Sequence, residues 1–262
     1  MELPTKGGMN MADNKNGLSR RDFLKTTGIA TGALVGGGII GGIVGYKVNK
    51  PGGKVENTEK HGGGNAATQD INRGLMFFTN QNEFHVLSQA VERIFPEDDL
   101  GPGAIGLGVP YFIDNQLAGN YGSNAKEYMQ GPFFAGESTQ GYQSRLTRAQ
   151  IFSHGIAKMD EEAQKRFNKG FGELEGKQMD EILTAFQKNE IDMKGVSSEF
   201  FFKLLRTATL EGAYADPIYN GNVNMDGWRM KGFPGHQMAY INVIEDEKFQ
   251  KIEPQSISSM QH

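Results

Sequence analysis

From Phe77 onward the apolar residues recur every three or four positions, and the chain reads as a run of helices. Phe84, Leu87, Val91 and Ile94 share one face. Ahead of them Asn80-Gln81-Asn82-Glu83 has the form of a capping box, and Pro96 behind them ends the helix. A second helix is predicted over Val109 to Leu117, with Phe112, Ile113 and Leu117 inward. A third covers Thr147 to about Phe167, and a fourth covers Lys177 to Gln187 with Met179, Ile182, Leu183 and Phe186 inward. The fifth begins near Ser197 and carries Phe200, Phe201, Leu204, Leu205 and Ala208. Convincing period-two alternation is missing. The expected fold class is therefore all-α, a single compact bundle of about five helices.

Two loops of unusual composition interrupt the helical period. Glu97 to Gly108 reads E-D-D-L-G-P-G-A-I-G-L-G. Ala213 to Gly235 is dense in Gly, Asn, Asp and aromatic residues, which favour turns, and it holds the only tryptophan. Loops this long inside a compact domain are functional or disordered as a rule, and the aromatics argue against disorder. Tyr214, Tyr219, Trp228, Arg229 and Phe233 have the composition of a recognition surface, since Trp, Tyr and Arg dominate binding hot spots. Equally, the loop could fold back and cap the helices, with its glycines at positive φ. Both readings stay open at this level.

Outside the bundle the chain divides into three further parts. Residues 1–46 hold Ser19-Arg20-Arg21-Asp22-Phe23-Leu24-Lys25 and then an uncharged, glycine-rich stretch from Gly28 to Tyr46. An Arg-Arg pair beside Phe-Leu-Lys ahead of a weakly apolar segment is the twin-arginine export pattern, read here on Arg20, Arg21, Phe23 and Leu24. No A-x-A-like cleavage site follows, so residues 28–46 are expected to remain as a membrane anchor helix. The expected location is the outer face of the cytoplasmic membrane, or the space beyond it. Residues 47–76, with Gly52-Gly53 and Gly62-Gly63-Gly64 and almost no large apolar side chain, read as a flexible linker. The helical domain spans 77–245, with 23 of the 26 aromatic residues. Residues 246–262 turn polar and are expected to form a loose tail.

Charge and composition then exclude several chemistries. Residues 1–46 carry five Lys/Arg and three Asp/Glu, which leaves 22 basic and 28 acidic residues in the exported part. A mildly acidic domain lacks the basic patch that nucleic acid demands. The absence of cysteine excludes lipoprotein acylation, disulfides, thiolate iron–sulfur sites and haem attachment through C-x-x-C-H. Gly101-Pro-Gly-Ala-Ile-Gly106 matches G-x-G-x-x-G but follows a helix rather than a strand, so it reads as a turn. His61, His85, His154, His236 and His262 are dispersed, and none gives the Glu-x-x-His spacing of a di-iron bundle. His85 and His154 are expected as capped or half-buried helix residues. Ser153 and His154 are adjacent on one helix and point apart. Asp98-Asp99 reads as a solvated helix entry and Glu161-Glu162 as a solvated helix face. No catalytic, metal or cofactor-binding residue is assigned to this chain.

Taken in order, several of these pieces resemble one family. Glu83-Phe84, Ile94-Phe95-Pro96, Asp98-Asp99, Pro102-Gly103-Ala104 and Phe112-Ile113-Asp114 are followed by Asp216-Pro217-x-Tyr219-x-Gly221-Asn222, Gly227-Trp228 and Gly232-Phe233-Pro234-Gly235. With the twin-arginine signal, this order is similar to the gluconate 2-dehydrogenase subunit 3 family, the small subunit of membrane-bound flavin-dependent sugar and sugar-acid dehydrogenases. Asn220 stands where that family usually has glycine, and asparagine tolerates the left-handed backbone such a turn needs. The resemblance implies a subunit without chemistry of its own. It implies a partner of the glucose-methanol-choline oxidoreductase type that holds FAD, lacks a signal and crosses the twin-arginine translocase folded with this chain. In some systems of this kind a multihaem cytochrome c subunit then receives the electrons. The surface for the flavoprotein is expected on Tyr219, Asn222, Trp228, Arg229, Phe233 and Pro234. The competing expectation is an independent exported binding protein that holds a small ligand such as a sugar on the same loop.

Overall fold

Asn80 opens the first helix of the computed structural model by accepting the Asn82 N–H on its side-chain oxygen at 2.9 Å. The structure describes residues 74–260 apart from 135, 138, 139, 141, 142 and 242. The export signal with Arg20, Arg21, Phe23 and Leu24, the 28–46 segment and all but the last three residues of the 47–76 linker lie outside the described residues. Within them the helices are α1 (Gln81–Ile94), α2 (Val109–Ala118), α3 (Arg148–Phe167), α4 (Gly176–Gln187), α5 (Ser198–Tyr214) and a short α6 (Asp226–Lys231). Among the described residues there is no strand, and β pairing is limited to two isolated bridges. None of these helices is long and apolar enough to cross a membrane.

The helix starts follow from their caps. Thr147 and Gln150 form a reciprocal capping box at the head of α3, with Thr147 N–H donating to Gln150 Oε1 at 2.9 Å. Ser197 accepts the Phe200 N–H at the head of α5. Gly108, at φ 75°, turns the chain into α2, where Pro110 occupies the first turn without a missing hydrogen bond. The bundle is assembled on α5, which packs against α4, α2, α1 and α3. Phe201 at its centre meets the rings of Phe152 and Phe186 edge-on at 5.8 and 5.5 Å. Each such side chain removed from water contributes about 1.5–3 kcal/mol. Because α5 is covered from two sides, its buried stripe is wide: it includes Phe202, while Phe200 and Leu204 of the sequence-derived face are only half-buried. On α1, Leu87, Val91 and Ile94 are fully buried and Phe84 is half-buried, its ring 5.1 Å from that of Tyr111.

One expectation is corrected on α3. Glu162 is not on a solvated face but buried, with Arg166 Nε donating to it at 3.1 Å and the ammonium groups of Lys158 and Lys165 at 3.9 and 3.6 Å. Three cations one turn away on the same helix compensate its desolvation. Glu161 is exposed as expected, and the hydrogen bond from Lys158 holds its carboxyl below the usual value. His85 is exposed rather than half-buried, and His154 is half-buried.

Asp114 on α2 is the point where the chain enters the bundle. Its carboxylate is wholly buried and accepts the N–H groups of Met76, Phe77 and Phe78 at 2.6, 3.1 and 2.9 Å. Charge-assisted bonds of this kind are worth about 1.5–3 kcal/mol each. Asp114→Ala is expected to lower stability by about 2–4 kcal/mol and to speed amide exchange at residues 76–78. Asp114→Asn should lose less, since one oxygen already takes two of the three donors. Thermal melts with hydrogen exchange decide it: unchanged exchange at 76–78 in Asp114→Ala would mean that other contacts hold the segment.

Candidate functional site

An α-helix leaves its last carbonyls without intrahelical partners. At the end of α5 these are met by residues from the long loop that follows. The Trp228 indole N–H donates to Tyr214 O at 2.7 Å, and the Asn222 side-chain amide donates to Ala215 O at 2.8 Å. Asn222 also accepts the Gly227 N–H at 2.8 Å, which closes a small ring of bonds over the helix end. The fit leaves no room for side chains on the loop. A Cβ on Gly221 would strike the Gly212 carbonyl oxygen, and one on Gly227 would strike that of Ala213. The stretch from Ala215 to Gly235 is therefore a lid seated on the C-terminal end of α5, and Ala213 and Tyr214, expected in the loop, are the last residues of the helix.

The lid is built from tight turns. Asp216 caps Pro217–Tyr219, accepting the Ile218 N–H at 3.1 Å. Asn220 stands at φ 68° and donates its N–H to Pro217 O at 3.0 Å, the left-handed turn expected of an asparagine in place of glycine. Asn222, Asn224 and Met225 also have positive φ, and then α6 carries Trp228 inward. The lid joins the other glycine-rich loop, since Val223 N–H donates to Leu107 O at 3.1 Å. That first loop is itself tied by Glu92, which accepts the Glu97 N–H at 3.2 Å and the Ile105 N–H at 2.8 Å. Asp98 and Gly101 exchange backbone hydrogen bonds, so the G-x-G-x-x-G match opens on a turn, as its position after a helix requires.

The six residues expected at an interface separate into an inner and an outer set. Asn222 and Trp228 are buried, at 0 and 6% exposure, and act within the lid. The Trp228 ring is backed edge-on by Phe233 at 5.4 Å. Arg229 is exposed but engaged, its guanidinium reaching Asp226 Oδ1 at 3.1 Å, Glu253 Oε2 at 3.4 Å and the Asn224 carbonyl. Pro234 is half-buried. Tyr219 and Phe233 have about half their surface open, at 53 and 48%. On the solvent side of the last α5 turns, Glu211 has its carboxyl raised above the usual value by partial burial, against the pull of Arg148.

Sequence reasoning missed what covers the far side of the lid. The segment expected as a loose tail returns: His236 N–H donates to Gln255 O at 2.8 Å, and Gln255 N–H donates to Pro234 O at 3.1 Å. Ser256, which is buried, donates to Asp216 Oδ1 at 2.6 Å, and Ile257 N–H donates to Oδ2 at 3.0 Å. A short turn, Ile257–Met260, follows. Between these clasps the arm and the Gly232–Pro234 turn enclose a cleft of 680 Å³ lined mainly by Phe233, Pro234, Tyr240, Val243, Ile244 and Phe249. Lys231, Lys248 and Asp246 also line it. Among the described residues no group of three or more His, Asp or Glu is placed to hold a metal ion.

Compared with known proteins, residues 81–235 match the family model of gluconate 2-dehydrogenase subunit 3. Neither the curated proteins nor the solved structures give a match. The matched span runs from the head of α1 to the last glycine of the lid, so it takes in the whole bundle and the elements that seal it. With more than half its length so matched, the chain belongs to the gluconate 2-dehydrogenase subunit 3 family and is a subunit of a gluconate 2-dehydrogenase-like complex.

Proposed function

We propose that this chain is the non-catalytic accessory and export subunit of that complex. It binds an FAD-dependent subunit of the glucose-methanol-choline oxidoreductase type and carries it, folded, through the twin-arginine translocase. The observation that carries the proposal is the coupling, in one chain, of the Arg20-Arg21 signal to a domain of the dehydrogenase small-subunit family. FAD is inserted in the cytoplasm, so a flavoprotein without its own signal needs a signal-bearing companion. Support also comes from the lid, whose polar atoms are spent on sealing α5 while Tyr219 and Phe233 stay open beside it. The complex would work at the outer face of the membrane, held there by residues 28–46 and passing electrons to a cytochrome c subunit where one is present. The competing role, an independent sugar-binding protein, would need polar groups converging on an open site. The cleft is instead mainly apolar.

Co-purification with a tag on the full chain tests the proposal. A flavin absorption spectrum in the captured fraction, with dehydrogenase activity toward a sugar or sugar acid, is expected. Residues 74–262 purified alone should show neither. A yellow fragment that reduces an artificial electron acceptor would overturn the non-catalytic assignment, and tight sugar binding by a colourless monomer would favour the competing role.

A further inference from the structure

Residues 236–254 form a loop closed at its base and apolar at its tip. The base is fixed by the two bonds between Pro234, His236 and Gln255, and by the double clasp of Ser256 and Ile257 on Asp216. Yet Phe249, Ile241 and Ile244 are 95, 78 and 74% exposed, and Met238, Tyr240 and Phe233 add further open surface. Taking about 150–250 Å² for a whole aromatic side chain, the six leave on the order of 700 Å² of side-chain surface uncovered. The largest apolar patch on an ordinary monomer is about 300–600 Å², and each side of a stable protein interface buries about 800 Å². Four of the six, Phe233, Tyr240, Ile244 and Phe249, line one cleft, and the exposed apolar surface of this stretch approaches the size of one half of an interface. Its cleft of 680 Å³ has room for several side chains of an occupant.

We infer that this arm is the docking element for the dehydrogenase subunit, and that the cleft takes an apolar segment of that subunit. The inference rests on the chain's being a subunit of the complex and goes beyond it in placing the contact on residues outside the family-matched span, which stops at 235. Charge around the cleft is balanced, with Glu245, Asp246, Glu247 and Glu253 standing against Lys248, Lys251, Lys231 and Arg229, so its apolar side chains select the occupant. Lying outside the shared span, the arm gives this chain a means of selecting its own flavoprotein, while the bundle and lid supply the common frame.

The test co-expresses the full tagged chain with its flavoprotein and measures bound flavin per captured chain. Ile244→Asp/Phe249→Asp is expected to weaken capture about thirtyfold, the loss typical of removing an anchor from a protein interface. Met238→Asp/Ile241→Asp should act in the same direction. Because all four side chains are exposed, melting temperatures should be unchanged, and Tyr128→Asp, exposed on a different loop, should capture normally. Equal capture by both double variants overturns the docking surface and leaves the subunit role standing. No capture by the wild-type chain overturns both. A dimer of the full chain expressed alone, lost in Phe249→Asp, would assign the patch to a second copy. Binding of the wild-type chain to phosphatidylcholine vesicles, lost in the same variant, would assign it to the membrane. Either result overturns the proposal.

Discussion

Trp228→Ala is expected to destabilise the isolated subunit by about 3–5 kcal/mol, the range for removing a buried Trp or Phe. For a domain of this size that corresponds to a fall in melting temperature of about 10 °C. Three losses combine at this site. The indole is 6% exposed, so its removal leaves a cavity between α6 and the end of α5. Tyr214 O loses its 2.7 Å donor in a place water reaches poorly, and Phe233 loses the ring it packs against at 5.4 Å. Trp228→Phe separates these effects, because it keeps most of the ring and deletes the N–H. It should cost about 1–3 kcal/mol, the penalty for an unsatisfied buried acceptor. Tyr219→Ala should leave the melting temperature unchanged, since about half of that side chain is in solvent. If Trp228→Ala melted like the wild type and lost only partner binding, the lid would not be what stabilises the helix end.

Replacing Arg20 and Arg21 together by Lys is expected to abolish export of this chain and to leave its flavoprotein in the cytoplasm with it. Lysine keeps the charge but not the planar, five-donor fork of arginine, and the two are not equivalent where that geometry is read. The pair stands ahead of a glycine-rich segment too weakly apolar to serve as a strong general secretory signal. Fractionation followed by blotting for both subunits checks the outcome. Normal export of both chains in the double variant would refute the carrier role, and export of the flavoprotein without this chain would refute the dependence.

Local signals made the bundle readable, and long-range ones hid the rest. Asn80, Thr147 with Gln150, and Ser197 are helix starts visible in sequence because a cap and its donor lie within three residues. The Glu162 cluster was equally local: Lys158, Lys165 and Arg166 lie three or four positions away, a spacing that marks a shared helix face. Composition alone, however, assigned that face to solvent. The lid showed itself as a loop through its glycines and asparagines, but not which of its aromatics turn inward. That depends on two α5 carbonyls, which have no sequence signature of their own. The returning arm was least legible, because Ser256 and Ile257 meet Asp216 across about 40 residues of chain. Hydrophobic periodicity is blind to such a pairing.

Asp114 gives the domain a mechanical property. Tension arriving along the N-terminal chain meets three backbone N–H groups converging on one carboxylate before it reaches α1. The carboxylate stands on a helix that is itself packed against α5 and α1. A pull from upstream therefore meets the interior of the bundle directly, without first unwinding α1. Lengthening or exchanging the segment before residue 74 should leave the helices untouched.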